Sequence, residues 1–85
     1  MSEIIVDLNG FMAEYSIYYT EGAETKKIGS CNIDSLYKIV PQFCREYSAN
    51  KIHLFGQNVS FVKGIADGLA NTKEYSNFNI EVEIN

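Results

Sequence analysis

The sequence predicts a mixed α/β fold in which a three-stranded antiparallel meander is followed by two helix–strand units, and three features predict it. The segments Ile4-Ile5-Val6-Asp7-Leu8 and Lys51-Ile52-His53-Leu54-Phe55 are nearly continuous apolar runs, the pattern of strands central in a sheet. Two further stretches repeat their apolar residues at steps of three and four, the period of a helix packed on one side. Phe78, Ile80, Val82 and Ile84 alternate with Asn79, Glu81, Glu83 and Asn85, the period of a strand with one buried and one acidic face.

Taken in order, the first run reads as a strand buried on both faces. Asn9-Gly10 follows, the dipeptide that best tolerates the positive φ angles of a type I′ turn, so the next strand, about residues 12 to 20, folds back antiparallel. Within it Tyr15, Ile17 and Tyr19 form a packed face, and Glu14, Ser16, Tyr18 and Thr20 a mostly polar one. Glu21 to Glu24 supply a second turn. Thr25 to Cys31 make a third strand, whose Lys26 and Lys27 guard a sheet edge against foreign strands.

Asn32 or Asp34 caps a helix running to about Tyr47, with Leu36, Val40, Phe43, Cys44 and Tyr47 on its apolar stripe. Pro41 removes an amide inside it and predicts a kink, or a first segment ending near Val40. Ser48-Ala49-Asn50 lead into the fourth strand, which Gly56 ends. Asn58 or Ser60 caps a second helix, Val59 to about Glu74, with Phe61, Val62, Ile65, Ala66 and Leu69 facing inward. Gly64 and Gly68 each cost that helix about 1 kcal/mol relative to Ala, which predicts a close approach of its backbone, to the sheet beneath rather than to a partner helix. The last strand spans Phe78 to Asn85.

Length and charge narrow the function classes. Eighty-five residues, 46% apolar and 21% charged, make one globular domain with a thin margin of stability that association would widen. Seven Lys/Arg against eleven Asp/Glu give a net charge of −4, and no basic cluster exceeds Lys26-Lys27, so nucleic acid is disfavoured as a partner. The N-terminal residues lack the basic and apolar regions of a secretion signal, and no apolar run nears the roughly 20 residues that span a bilayer; the reading is a cytoplasmic protein without membrane attachment. Cys31 and Cys44 read as buried reduced thiols. His53, the single histidine, has no second imidazole, cysteine or carboxylate at metal-ligand spacing, so neither a transition metal nor any other cofactor is called for.

Hairpins join the first three strands and helices join the rest, so the most economical sheet order is 3-2-1-4-5, with both helices on one face. That order is shared with ribonuclease H-like and actin-like ATPase folds. The run Ile4 to Gly10 leading into Tyr15-Ser16-Ile17-Tyr18-Tyr19 resembles the phosphate-binding hairpin of actins, chaperone ATPases and sugar kinases. Ile52 to Gly56 leading into Phe61 to Leu69 is similar to the strand, glycine turn and helix with which that family holds adenosine. The resemblance covers one of the family's two halves. It implies a nucleotide or phosphate bound at the C-terminal ends of strands 1 and 4, among Asp7, Asn9, Gly10, Gly56, Gln57 and Asn58. The sequence departs from the family where Phe11 and Met12 follow Gly10 and where Gln57 takes the place of a second glycine.

Several functions compete on these residues. The first is a non-enzymatic interaction module, pairing with itself as a homodimer or with another protein through the helix-free face of the sheet, where Glu14, Ser16, Tyr18 and Lys26 are the candidate contacts. The second is the nucleotide or phosphate site just named. A ribonuclease H-like nuclease would use Asp7 and Glu46 with two metal ions, but strand 4 ends in Phe55-Gly56-Gln57-Asn58 without an acid. Asp7 has an alternative duty in satisfying the amides of its own turn. Finally, Glu74, Glu81 and Glu83, with Asn79 and Asn85, would form the negative stripe of a small acidic inhibitor of a basic protein.

Overall fold

The computed structural model describes residues 2–10, 14–71 and 79–85. Its elements follow as β1 (Ser2–Asp7), β2 (Tyr15–Glu21), β3 (Glu24–Cys31), α1 (Ile33–Glu46), β4 (Lys51–Gly56), α2 (Val59–Ala70) and β5 (Asn79–Ile84). The strands form one mixed sheet in the order β3-β2-β1-β4-β5, as the connections predict. β1 pairs antiparallel with β2 and parallel with β4; β2 pairs antiparallel with β3, and β4 parallel with β5.

Alternation along the strands assigns the two faces. Ile4 and Val6 of β1, Ile17 of β2, and Ile52 and Leu54 of β4 are fully buried and point to one side. There they meet Leu36, Val40 and Cys44 of α1 and Val62, Ile65 and Leu69 of α2, so both helices lie on that side. The other face receives Ile5, Tyr18, His53 and Phe55, which are only half-buried. Two-sided burial of β1 and β4 is therefore not met within the described residues. The described helices cover one face.

The first hairpin departs from the tight turn predicted for it. Neither Asn9 nor Gly10 takes a left-handed φ. Leu8 is buried, and its amide donates to the Phe55 carbonyl at 2.8 Å, so the chain continues along β4 before it returns. The return strand begins at Tyr15 with Glu14 ahead of it; residues 11–13 of the connection lie outside the described residues. The second hairpin is the tight one. Gly22 has φ +63° between the paired Glu21 and Glu24, as the first central position of a type II′ turn requires. A register shift at Ile17/Tyr18 then leaves Ile28 of β3 without a partner in β2.

The helices bear out both predicted caps and correct three other readings. Asn32 caps α1 in a reciprocal box, its Oδ1 accepting from the Ser35 amide while Ser35 Oγ accepts from the Asn32 amide. Pro41 does not end the helix, which runs unbroken to Glu46 with Pro41 buried. In α2, Gly64 faces open space, whereas a Cβ on Gly68 would come within 2.5 Å of the Tyr37 ring of α1. The close approach thus exists at one glycine, and it is to the neighbouring helix rather than the sheet. Asn58 caps α2, and Asn71 closes it sooner than predicted. Residues 72–74 of the predicted helix and Phe78 of the predicted strand lie outside the described residues.

β5 is less covered than its alternation suggests. Ile80 is half-buried, but Val82 and Ile84, on the helix side of this edge strand, are 36% and 41% exposed.

The segment Ser48-Ala49-Asn50 is a built helix stop. Ser48 has φ +53°, its amide donates to the Arg45 carbonyl at 3.3 Å, and the Ala49 amide donates to the Cys44 carbonyl at 2.9 Å. This is a Schellman pattern with serine where glycine is usual. Ser48→Gly relieves the left-handed strain and is expected to raise stability by about 1 kcal/mol, read as a higher urea midpoint with an unchanged slope.

Candidate functional site

Two regions gather the residues that the sequence singles out. The first lies at the C-terminal ends of β1 and β4. Asp7 Oδ1 accepts from the Asn9 amide at 2.9 Å, which is the turn-satisfying duty open to this carboxylate from sequence. Asn9 Oδ1 accepts from the Gln57 amide at 2.9 Å, and Asn9 Nδ2 donates to Asn85 Oδ1 at 3.4 Å. Asn58 Oδ1 accepts from the Phe61 amide at 3.0 Å. The Asn85 amide donates to the Gly56 carbonyl at 3.0 Å.

The predicted ligand residues are brought together here, but mainly to bind one another. A phosphate cradle needs amides aimed at empty space, and those of Leu8, Asn9, Gln57 and Phe61 are each taken by a carbonyl or side chain of this chain. A Cβ on Gly56 would fall 2.8 Å from Val62 Cγ2 and 3.3 Å from Leu8 Cβ. Gly56 therefore serves close packing of α2 on the sheet. Gly10 stands at the rim of this knot. Glu46, at the last residue of α1, joins no metal-binding set with Asp7; no group of three His, Cys, Asp or Glu fit for a metal ion occurs among the described residues.

The second region is the helix-free face. Strand register arranges it in rows across the sheet. The middle row reads Lys27, Tyr18, Ile5, His53, Glu81 from β3 to β5; the flanking rows read Thr25, Thr20, Glu3, Lys51, Asn79 and Ser30, Ser16, Asp7, Phe55, Glu83. Ser16 and Tyr18 sit where the sequence expects them, and Glu14 is exposed just ahead of β2. Lys26 does not belong to this face. It pairs with Tyr19 and lines, on the helix side, an open cleft of about 480 Å³ with Tyr19, Glu21 and Glu24. The register set by the two-residue Gly22-Ala23 turn puts Lys27 beside Tyr18 instead.

Charge on this face is concentrated at the β4/β5 seam. Lys51 Nζ lies 2.9 Å from Glu81 Oε2 and 3.5 Å from Glu3 Oε2. His53 sits between two carboxylates, Nδ1 at 3.3 Å from Glu81 and Nε2 at 3.5 Å from Glu83. The Lys51 hydrogen bond, with the charge behind it, holds the Glu81 carboxyl below the usual carboxylate range, and the same bond raises Lys51. Glu81 and Glu83 each contact a basic side chain of β4 while keeping 51% and 60% of their side chains exposed, and Glu74 lies outside the described residues. The His53 nitrogens face different carboxylates, so the three groups do not converge on one point as metal ligands would. Sequence reasoning missed this network because its partners come from a parallel strand about thirty residues away, and no local spacing signals that register.

Cys31 and Cys44 are free and buried, as expected. Burial raises both thiols, Cys44 to about 12 despite the opposing charge of Arg45. Neither is a nucleophile at neutral pH.

Two outcomes follow from these contacts. Asn9→Ala leaves the Gln57 amide without its acceptor and is expected to lower stability by about 1–2 kcal/mol in urea unfolding, while ATP, GTP or Mg²⁺ in excess leaves the Tm of the parent chain unmoved; a ligand-induced rise would show that the knot opens to a phosphate. The raised Cys44 thiol stabilises the fold fully below its unfolded value near 9 and loses that contribution as pH rises through about 12. The stability gap between the parent and Cys44→Ala is therefore expected to be constant around neutrality and to narrow above pH 9. No helix among the described residues is long and apolar enough to cross a membrane. No protein-family model matched the chain, and neither did any curated protein.

Proposed function

We propose that this chain is a non-enzymatic protein-interaction module whose docking surface is the helix-free face of the sheet, with a second copy as its occupant. One observation carries this reading. Ile5, Tyr18 and Phe55 are adjacent on the central strands, half-buried, and excluded from the core that the helices cover. The apolar runs of β1 and β4 are written for two covered faces, and the described part of the chain covers one. Tyr18 suits such a surface, giving large contact area for little side-chain entropy. The order 3-2-1-4-5 with two helices also supports the half of a ribonuclease H-like architecture as the origin of this fold, reduced here to a binding role.

Size sets the strength. Five strands about 4.8 Å apart and six residues of about 3.3 Å each make a face of roughly 500 Å² per copy, roughly 1,000 Å² for the pair. That falls just below the roughly 1,200 Å² of ordinary stable complexes, so the association is expected to be weak, with Kd in the micromolar range or above. Sedimentation equilibrium from micromolar to sub-millimolar concentration is expected to show a reversible monomer–dimer exchange. Ile5→Lys puts a charge at the centre of the face without touching the core; it is expected to abolish the dimer while moving the unfolding free energy by no more than about 0.5 kcal/mol. A parent chain that stays monomeric throughout ends the self-association reading.

A further inference from the structure

The helix-free face is self-complementary in one orientation. Across its middle row the charge runs from a cation at the β3 edge, Lys27, through Tyr18, Ile5 and His53 to an anion at the β5 edge, Glu81. Lys27 is exposed, and no described acid lies within 4 Å of it. Glu81 keeps about half of its side chain in solvent even while bound to Lys51.

Resting on the self-association reading, we infer that two copies pack face to face about a two-fold axis that lies in the interface and runs along β1. Rotation about that axis preserves height along the strands and exchanges the two sides of the sheet. The middle row then falls on its own reverse: Ile5 meets the second Ile5, Tyr18 meets His53, and Lys27 meets Glu81. Aligned packing of two twisted sheets, about 30° apart, keeps this correspondence at the centre of the interface. Ile5 meets its copy on the axis at the centre of the interface. The charge pairs lie at the rim, where they set orientation more than affinity.

The alternative two-fold, perpendicular to the strands, lays each strand over its own copy. It would stack the two β5 strands, bringing Glu81 and Glu83 of both copies to one edge with no cation from β3 to meet them. It would also stack Lys27 on Lys27 at the β3 edge, so both ends of the middle row meet their own sign rather than the opposite one, which disfavours that orientation. The favoured axis brings like charges together only for Glu3 and Asp7. Both lie at the ends of β1, towards solvent, and both are already partnered, by Lys51 and by the Asn9 amide.

Thiol cross-linking tests the axis directly, since Cys31 and Cys44 are buried and silent. Under copper–phenanthroline oxidation, Ile5→Cys is expected to link to itself, and a mixture of Lys27→Cys with Glu81→Cys to form the mixed disulfide, while neither of those two variants links to itself. Self-linking of Lys27→Cys or Glu81→Cys would overturn this orientation. A second measurement needs no new thiol. Lys27→Glu is expected to weaken dimerisation about tenfold, equivalent to about 1.4 kcal/mol, whereas Lys26→Glu, on the opposite face, leaves it unchanged; equal effects would overturn the proposal. A parent dimer that fails these tests refutes the axis alone, and a parent chain that never dimerises refutes the reading beneath it as well.

Discussion

The parallel pairing of β1 with β4 sets Ile4 beside Ile52 and Val6 beside Leu54, and both helices are laid over those side chains. Every other placement follows from that seam. The meander extends it on one side, β5 on the other, and the turn after β1 is drawn along β4 by the Leu8 amide before it can reverse. Because strands alternate, the same pairing that buries Ile4 and Val6 aims Ile5, His53 and Phe55 the other way. Core and open face are two consequences of one register.

Much of this was legible in the sequence for definite reasons. Unbroken apolar runs marked β1 and β4 as central, helical periodicity marked α1 and α2, and the connection types left few sheet orders to choose from. The misreadings came where local preference met a tertiary demand. Asn9-Gly10 favours a tight turn, yet the Asn9 side chain is needed by the Gln57 amide. Pro41 left open a helix end near Val40, yet it is buried in the apolar stripe of α1 and the helix runs on to Glu46.

The candidate sites were less legible, again for a physical reason. Asp7, Asn9, Gly56, Gln57 and Asn58 were correctly gathered at one end of the sheet, but composition cannot say whether amides point at a ligand or at each other. Here the Asn9 and Gln57 amides are taken by the side chains of Asp7 and Asn9. On the open face, the exact length of the Gly22-Ala23 turn decided between Lys26 and Lys27, and a parallel register between strands distant in sequence created the seam of Lys51, His53, Glu81 and Glu83. That parallel register is not encoded within a window of neighbouring residues.

The sheet order also shapes how the chain reaches its native state. β1 and β4 are joined only across β2, β3 and α1, so the central pairing closes a loop of more than forty residues. Closure entropy grows slowly with length, and a meander and capped helix formed beforehand shorten the effective loop. The strands that end up at the centre are thus the last of the long-range contacts to be rewarded, a topology that slows folding relative to a helical bundle of similar length. Until β4 arrives, β1 presents an unpaired apolar edge as well as an uncovered face. The interval before the seam closes is when this chain is most exposed to the wrong partner.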